Sequence, residues 1–129
     1  MIMKFKQNII HVLGGGLNQI PIVKEAKSMG YKVLVTDMYE NPPCRSISDY
    51  FEQVNTTDKE STLEAAKKYN ICAVVTDQTD VSVPTVAYIA EELGLEGIGY
   101  HTALRFTNKY LLREFLKDKV PELVPNHKY

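Results

Sequence analysis

The apolar positions of the chain fall into short blocks that alternate between two periods. Residues 8–13 (NIIHVL) form a β-branched run that breaks off at Gly14-Gly15-Gly16, which predicts a buried first strand and a tight turn. After Leu17-Asn18-Gln19 the spacing becomes helical, with Ile20, Val23 and Ala26 along one face, Pro21 in the first turn and Gly30 as the stop. Residues 31–36 (YKVLVT) predict a second strand, with Asp37 just past its carboxyl end, and a loop through Asn41-Pro42-Pro43 follows. Residues 50–54 (YFEQV) supply a third strand. Thr57-Asp58-Lys59-Glu60 has the spacing of a capping box opening a helix through Leu63, Ala66 and Tyr69.

Residues 71–76 (ICAVVT) predict a fourth strand that ends in the polar stretch Asp77-Gln78-Thr79-Asp80. Ser82, or a neighbour, is expected to cap a helix from about 83 to 93, closed by Gly94. Gly97-Ile98-Gly99 reads as a short fifth strand at the edge, and residues 102–119 as a helix broken near Thr107-Asn108. Residues 121–129, with Pro121 and Pro125, read as an extended end.

Strands alternating with helices of this length require crossover connections, which are right-handed and place helices on both faces of a parallel sheet. The expectation is an α/β fold: a single Rossmann-like domain with a mainly parallel sheet of four or five strands. It occupies residues 1–120, including a last helix at about 107–119, with a tail at 121–129.

Composition narrows the function. The chain has 129 residues, 44% hydrophobic and 24% charged, the proportions of an ordinary globular domain able to build one core without staples. Fifteen basic against sixteen acidic side chains give a formal charge of -1, so neither a nucleic-acid nor a membrane partner is expected. The apolar runs are too short to span a bilayer and no signal-peptide core follows Met1, so a cytoplasmic location is expected. Cys44 and Cys72, and His11, His101 and His127, are scattered without metal-ligand spacing, and no metal site is expected.

Ligands of such sheets collect beyond the carboxyl ends of the strands, where strand order reverses. That rule selects the turn Gly14-Gly15-Gly16 with Asn18 and Gln19, then Asp37, then Asp77 and Asp80. Glycines let the backbone turn sharply and let an anion approach the amides at the start of a helix. Dinucleotide binding is one reading, since Asp37 follows Gly14 by 23 positions and an acidic residue there can hold a ribose hydroxyl. Gln19, however, stands where that fingerprint needs glycine or alanine.

Taken in order, VLGGGLNQIPIVKEAKSMGYKVLVTDMYENPPC, NTTDKE, VVTDQTDVSVPTVAYIAEELGL and TNKYLLREFLK resemble the N-terminal, preATP-grasp domain of the ATP-grasp superfamily. The look is closest to carbamoyl-phosphate synthase large subunit and biotin-carboxylase-like carboxylate–amine ligases, over residues 8–120. The resemblance implies a role in ATP-dependent activation of a carboxylate for capture by an amine. It implies that Gly14, Gly15, Gly16, Asn18, Gln19, Asp37, Asp77 and Asp80 line the substrate cleft for a small anionic substrate, and that Lys109 or Arg113 meets the nucleotide phosphates. Catalytic and metal-ligating residues are expected elsewhere, because these residues lack the family's nucleotide clamp. ATP and Mg are accordingly expected only with those further domains, carried on a longer chain, on a separate ATP-grasp partner or not at all. Self-association is a further expectation. The runner-up is a stand-alone nucleotide- or dinucleotide-binding module.

Overall fold

The computed structural model describes residues 8–128, which form one layered α/β domain. The elements are β1 (Ile9–Leu13), α1 (Ile20–Ser28), β2 (Lys32–Asp37), β3 (Tyr50–Gln53), α2 (Lys59–Lys67), β4 (Ala73–Val75), α3 (Val83–Glu92), α4 (Tyr100–Thr107) and α5 (Lys109–Leu116). Short 3-10 turns occupy Leu17–Gln19, Pro43–Ile47 and Pro121–Leu123.

The four strands are all parallel, in the order β3-β2-β1-β4. β1 is central: Ile10 stands between Val33 and Ala73, and Val12 between Val35 and Val75. Alternation along the strands divides the core in two, because successive side chains of a strand point to opposite faces. Ile9, Leu13 and Leu34 pack with Leu63 and Ala66 of α2 and Ile89 and Ala90 of α3. On the other face Val12, Val33 and Val35 pack with Val23 and Ala26 of α1 and with Cys44. Val12, Leu13, Val33, Leu34 and Val35 are fully excluded from water, and burial of each such side chain is worth about 1.5–3 kcal/mol.

His11 shares the face of Ile9 and Leu13 and is fully buried, as are the polar side chains of Thr36 and Thr62. The His11 Nε2 lies 2.8 Å from the Thr36 hydroxyl, while Nδ1 is buried without a hydrogen-bond partner among the described residues. Burial pushes the imidazole down to about 3, because a charged ring cannot be solvated there.

Helix ends follow local chemistry. Gly30 at φ +90° lets its amide and that of Tyr31 reach back to Lys27 and Ala26, closing α1. Asn108 separates α4 from α5, its side chain accepting from the amides of Tyr110 and Leu111. The expected break thus falls at Asn108.

Several expectations are corrected. Gly97-Ile98-Gly99 is not a strand: Gly97 lies so close to α3 that a Cβ would sit 2.9 Å from that of Ala90. The segment stands off the free edge of β4 across an apolar recess of about 280 Å3 lined by Val74, Val75, Val86 and Ile98. Asp37 is the last residue of β2 rather than the residue beyond it. At α2 the cap is Asp58, which accepts from the Ser61 amide, while Glu60 accepts from the Tyr88 hydroxyl. Ser82 holds the N-cap position of α3 as expected, but its side chain makes no cap bond, since its hydroxyl pairs with Thr56. The loop after Pro42 coils into a 3-10 turn, and so does Pro121–Leu123 in the tail. His127 then ties the tail to α5 through Glu114 at 2.8 Å; of the residues read as an extended end, Tyr129 lies outside the described residues.

Candidate functional site

The chain steps from β1 outward to β2 and β3, then returns to place β4 on the other side of β1. Strand order therefore reverses between β1 and β4, and the crevice of an open parallel sheet lies at the carboxyl ends of such a pair. The glycine turn follows β1, and the stretch Asp77–Asp80 follows β4. The two walls of that crevice are thus built from segments 58 residues apart, as measured between Gln19 and Asp77.

Each glycine of the turn has a different reason to be glycine. Gly14 holds φ +86°, a region that L side chains rarely adopt. At Gly15 a Cβ would meet Val35 Cγ1 at 2.8 Å, Pro42 at 3.3 Å and Cys44 at 3.4 Å, so this is the point of closest approach between turn and neighbouring loop. At Gly16 the Gln19 side-chain oxygen stands 3.1 Å from where a Cβ would be.

The turn's amides are satisfied within the chain. Gly14 N–H donates to the Thr36 carbonyl at 2.8 Å, Gly15 N–H to Asp37 Oδ2 at 2.8 Å, and Gly16 N–H to Gln19 Oε1 at 2.9 Å. Asp37 Oδ1 accepts from the Tyr39 amide at 2.9 Å, so both carboxylate oxygens are engaged. Gln19 is buried, and its Nε2 donates to the Asp77 carbonyl at 2.6 Å. Cys44 backs the turn: its amide donates to the Gly15 carbonyl at 2.9 Å and its Sγ lies 3.4 Å from the Gly16 carbonyl. Burial, aided by the nearby Asp37 charge, pushes the Cys44 thiol up, away from the reactive thiolate.

The structure therefore brings Gly14, Gly15, Gly16, Gln19, Asp37 and Asp77 into one bonded cluster. The amides of the three glycines themselves have acceptors within the chain. What the turn leaves exposed are Leu17 and Asn18. Opposite them, Asp77, Gln78, Thr79 and Asp80 line a polar recess of about 390 Å3 with Thr76 and Val83. Gln78 stands at φ +58°, one of two non-glycine residues at positive φ among those described. Gln78 and Leu17 lie within the polar stretch and the turn that the sequence selects, but nothing in the sequence singles either out. Backbone sign and exposure leave no trace in residue identity, and only the polar run 77–80 hinted at the first.

Lys109 and Arg113 stand one helical turn apart on α5, which packs on α4 and buries none of its residues. Neither forms an ion pair with a carboxylate among the described residues. No hydrogen bond joins them to the glycine cluster. Among the described residues no group of three His, Cys, Asp or Glu side chains converges as a metal site would require.

Fold and crevice together define a Rossmann-like domain with a crevice at its topological switch point. No family model matches the chain. It is 28% identical over 127 residues to a formate-dependent phosphoribosylglycinamide formyltransferase of Prochlorococcus marinus, a match covering 98% of this chain and 32% of that protein. It is 27% identical over 117 residues to an N5-carboxyaminoimidazole ribonucleotide synthase of Staphylococcus aureus, covering 90% of this chain and 30% of that one. Among solved structures, phosphoribosylglycinamide synthetase of Anaerococcus prevotii superposes with a TM-score of 0.80 at 23% identity, over 86% of this chain and 28% of that one. The homologues are ATP-grasp carboxylate–amine ligases, and the chain matches their N-terminal, preATP-grasp domain. It spans about a third of the length of the curated relatives it matches.

Proposed function

We propose that this chain is the substrate-binding portion of an ATP-dependent carboxylate–amine ligase. The observation that carries the reading is the prebuilt crevice between the β1 and β4 loops, on a domain whose homologues are ATP-grasp ligases. Its ligand is a small anionic, amine-bearing molecule, of the class of the ribonucleotides that the relatives' names specify. Asn18, the backbone around Leu17 and the polar recess of Asp77, Gln78 and Asp80 are the groups free to meet it; Gly14, Gly15, Gly16, Gln19 and Asp37 give the cleft its shape. The narrower likeness to carbamoyl-phosphate synthase rests on the motifs alone.

ATP with Mg supplies phosphoryl activation of a carboxylate in such ligases, and magnesium needs carboxylate ligands, of which no cluster is gathered among the described residues. Lys109 and Arg113 share a face of α5 and form no ion pair among the described residues, which suits them to a phosphate. Their contact with nucleotide is expected only when clamp domains, on the same or another chain, lie beside α5.

The dinucleotide reading is disfavoured by a specific observation: the carboxylate needed for a ribose hydroxyl is occupied on both oxygens by the amides of Gly15 and Tyr39. Titration calorimetry of the 129-residue chain tests the assignment. Saturable binding of 5-aminoimidazole ribonucleotide, with no tight magnesium-dependent ATP binding, is expected. Tight Mg·ATP binding, or saturable NAD binding, overturns it.

A further inference from the structure

We infer that Gln19 is a positioning residue, a strut that holds the two walls of the switch-point crevice at a fixed separation. The effect on ligand affinity rests on the function proposed above; the strut itself does not. Within its own turn, Gln19 Oε1 accepts from Gly16 N–H at 2.9 Å. Across the crevice, Gln19 Nε2 donates to the Asp77 carbonyl at 2.6 Å. One planar amide thus joins the loop after β1 to the loop after β4, using an acceptor on one side and a donor on the other.

The surroundings fit the amide tightly. A Cβ at Gly14 would stand 3.6 Å from Gln19 Cδ, and one at Gly16 would stand 3.1 Å from Oε1, so the absent side chains of both glycines leave the space that Gln19 fills. Gln19 is 7% exposed, and its backbone, between the 3-10 turn and α1, fixes where the side chain starts. Buried side-chain amides hold one orientation when both ends are bonded, since reversal would set oxygen against oxygen and N–H against N–H. The bond to Asp77 also fixes the peptide that leads into Gln78, the residue held at positive φ. Loss of the strut therefore releases the 77–80 loop, and with it the polar side of the cleft.

Two variants separate strut from filler. Gln19→Met keeps the volume and removes both bonds. Gln19→Glu keeps an acceptor for Gly16 but replaces the donor facing the Asp77 carbonyl with a second oxygen. Hydrogen exchange followed by amide NMR is the readout. Loss of one bond corresponds to about tenfold: exchange at Gly16 is expected to speed up by that factor in Gln19→Met and to stay near wild type in Gln19→Glu. The amide resonances of 77–80 are expected to move in both variants, and the Kd for 5-aminoimidazole ribonucleotide to rise about tenfold in both.

Unmoved 77–80 resonances in both variants would overturn the strut, and an unchanged Kd in variants whose loop has moved would overturn its effect on the ligand. If wild-type chain does not bind the ribonucleotide, the ligase reading fails, and the two amide readouts still decide the role of Gln19.

Discussion

The Asp37 carboxylate at the end of β2 accepts the backbone N–H of Gly15 at 2.8 Å, 22 residues earlier in the chain. Asp37, a candidate ligand contact in the sequence, thus braces the bend that precedes it. Because a charged acceptor strengthens such bonds to about 1.5–3 kcal/mol, and Asn retains one acceptor oxygen where Asp37 uses two, Asp37→Asn is expected to lower stability by about 1–2 kcal/mol. Chemical denaturation measures this, and an unchanged midpoint would show that the brace carries no load.

Gly15 should be the least replaceable glycine of the turn. A methyl group there would overlap Val35, a fully buried β-branched side chain with little freedom to yield. Gly15→Ala is expected to cost about 1–3 kcal/mol through overpacking, read as a lower thermal midpoint. Gly14→Ala meets nothing closer than 3.6 Å, and its cost arises from φ +86° instead.

Stability should depend on His11. Its folded pKa, pushed down to about 3, lies below the unfolded value near 6.5. Between those two values the unfolded chain binds the extra proton, so stability is full above about pH 6.5 and falls with acidification by about 1.4 kcal/mol per pH unit. Urea denaturation at pH 7 and pH 5 checks the slope. Gln or Leu at this position, as in His11→Gln or His11→Leu, should flatten it; an equal slope in the variants would assign the effect to other groups.

α5 has a strongly amphipathic sequence yet buries none of its eight residues, so its N-cap matters more than usual. Asn108→Ala is expected to cost about 1 kcal/mol and to fray the turn that carries Lys109, seen as faster amide exchange at Tyr110 and Leu111. Lys109→Ala and Arg113→Ala, by contrast, break no ion pair with a described residue. They should change stability by no more than about 0.5 kcal/mol, whatever they do to nucleotide binding.

The sequence by itself determined the four strands, the helices between them and the crest on which the glycine turn and both acidic segments sit. Period 2 and period 3.6 are local properties, and Gly14-Gly15-Gly16, Gly30 and Asn108 mark element ends by their own conformational and bonding preferences. Only the tertiary structure decided what those residues do at the crest. Gly16 meets Gln19 within their own turn, while Gly15 meets Asp37 and Gln19 meets Asp77, two contacts that exist because the parallel sheet sets β1 between β2 and β4. The same applies to Gly97, which the pattern assigned to an edge strand and packing against Ala90 drew away from it. Residue identity states which polar groups are available. Which group satisfies which depends on distances between segments far apart in the chain, and those are fixed only when the strands assemble.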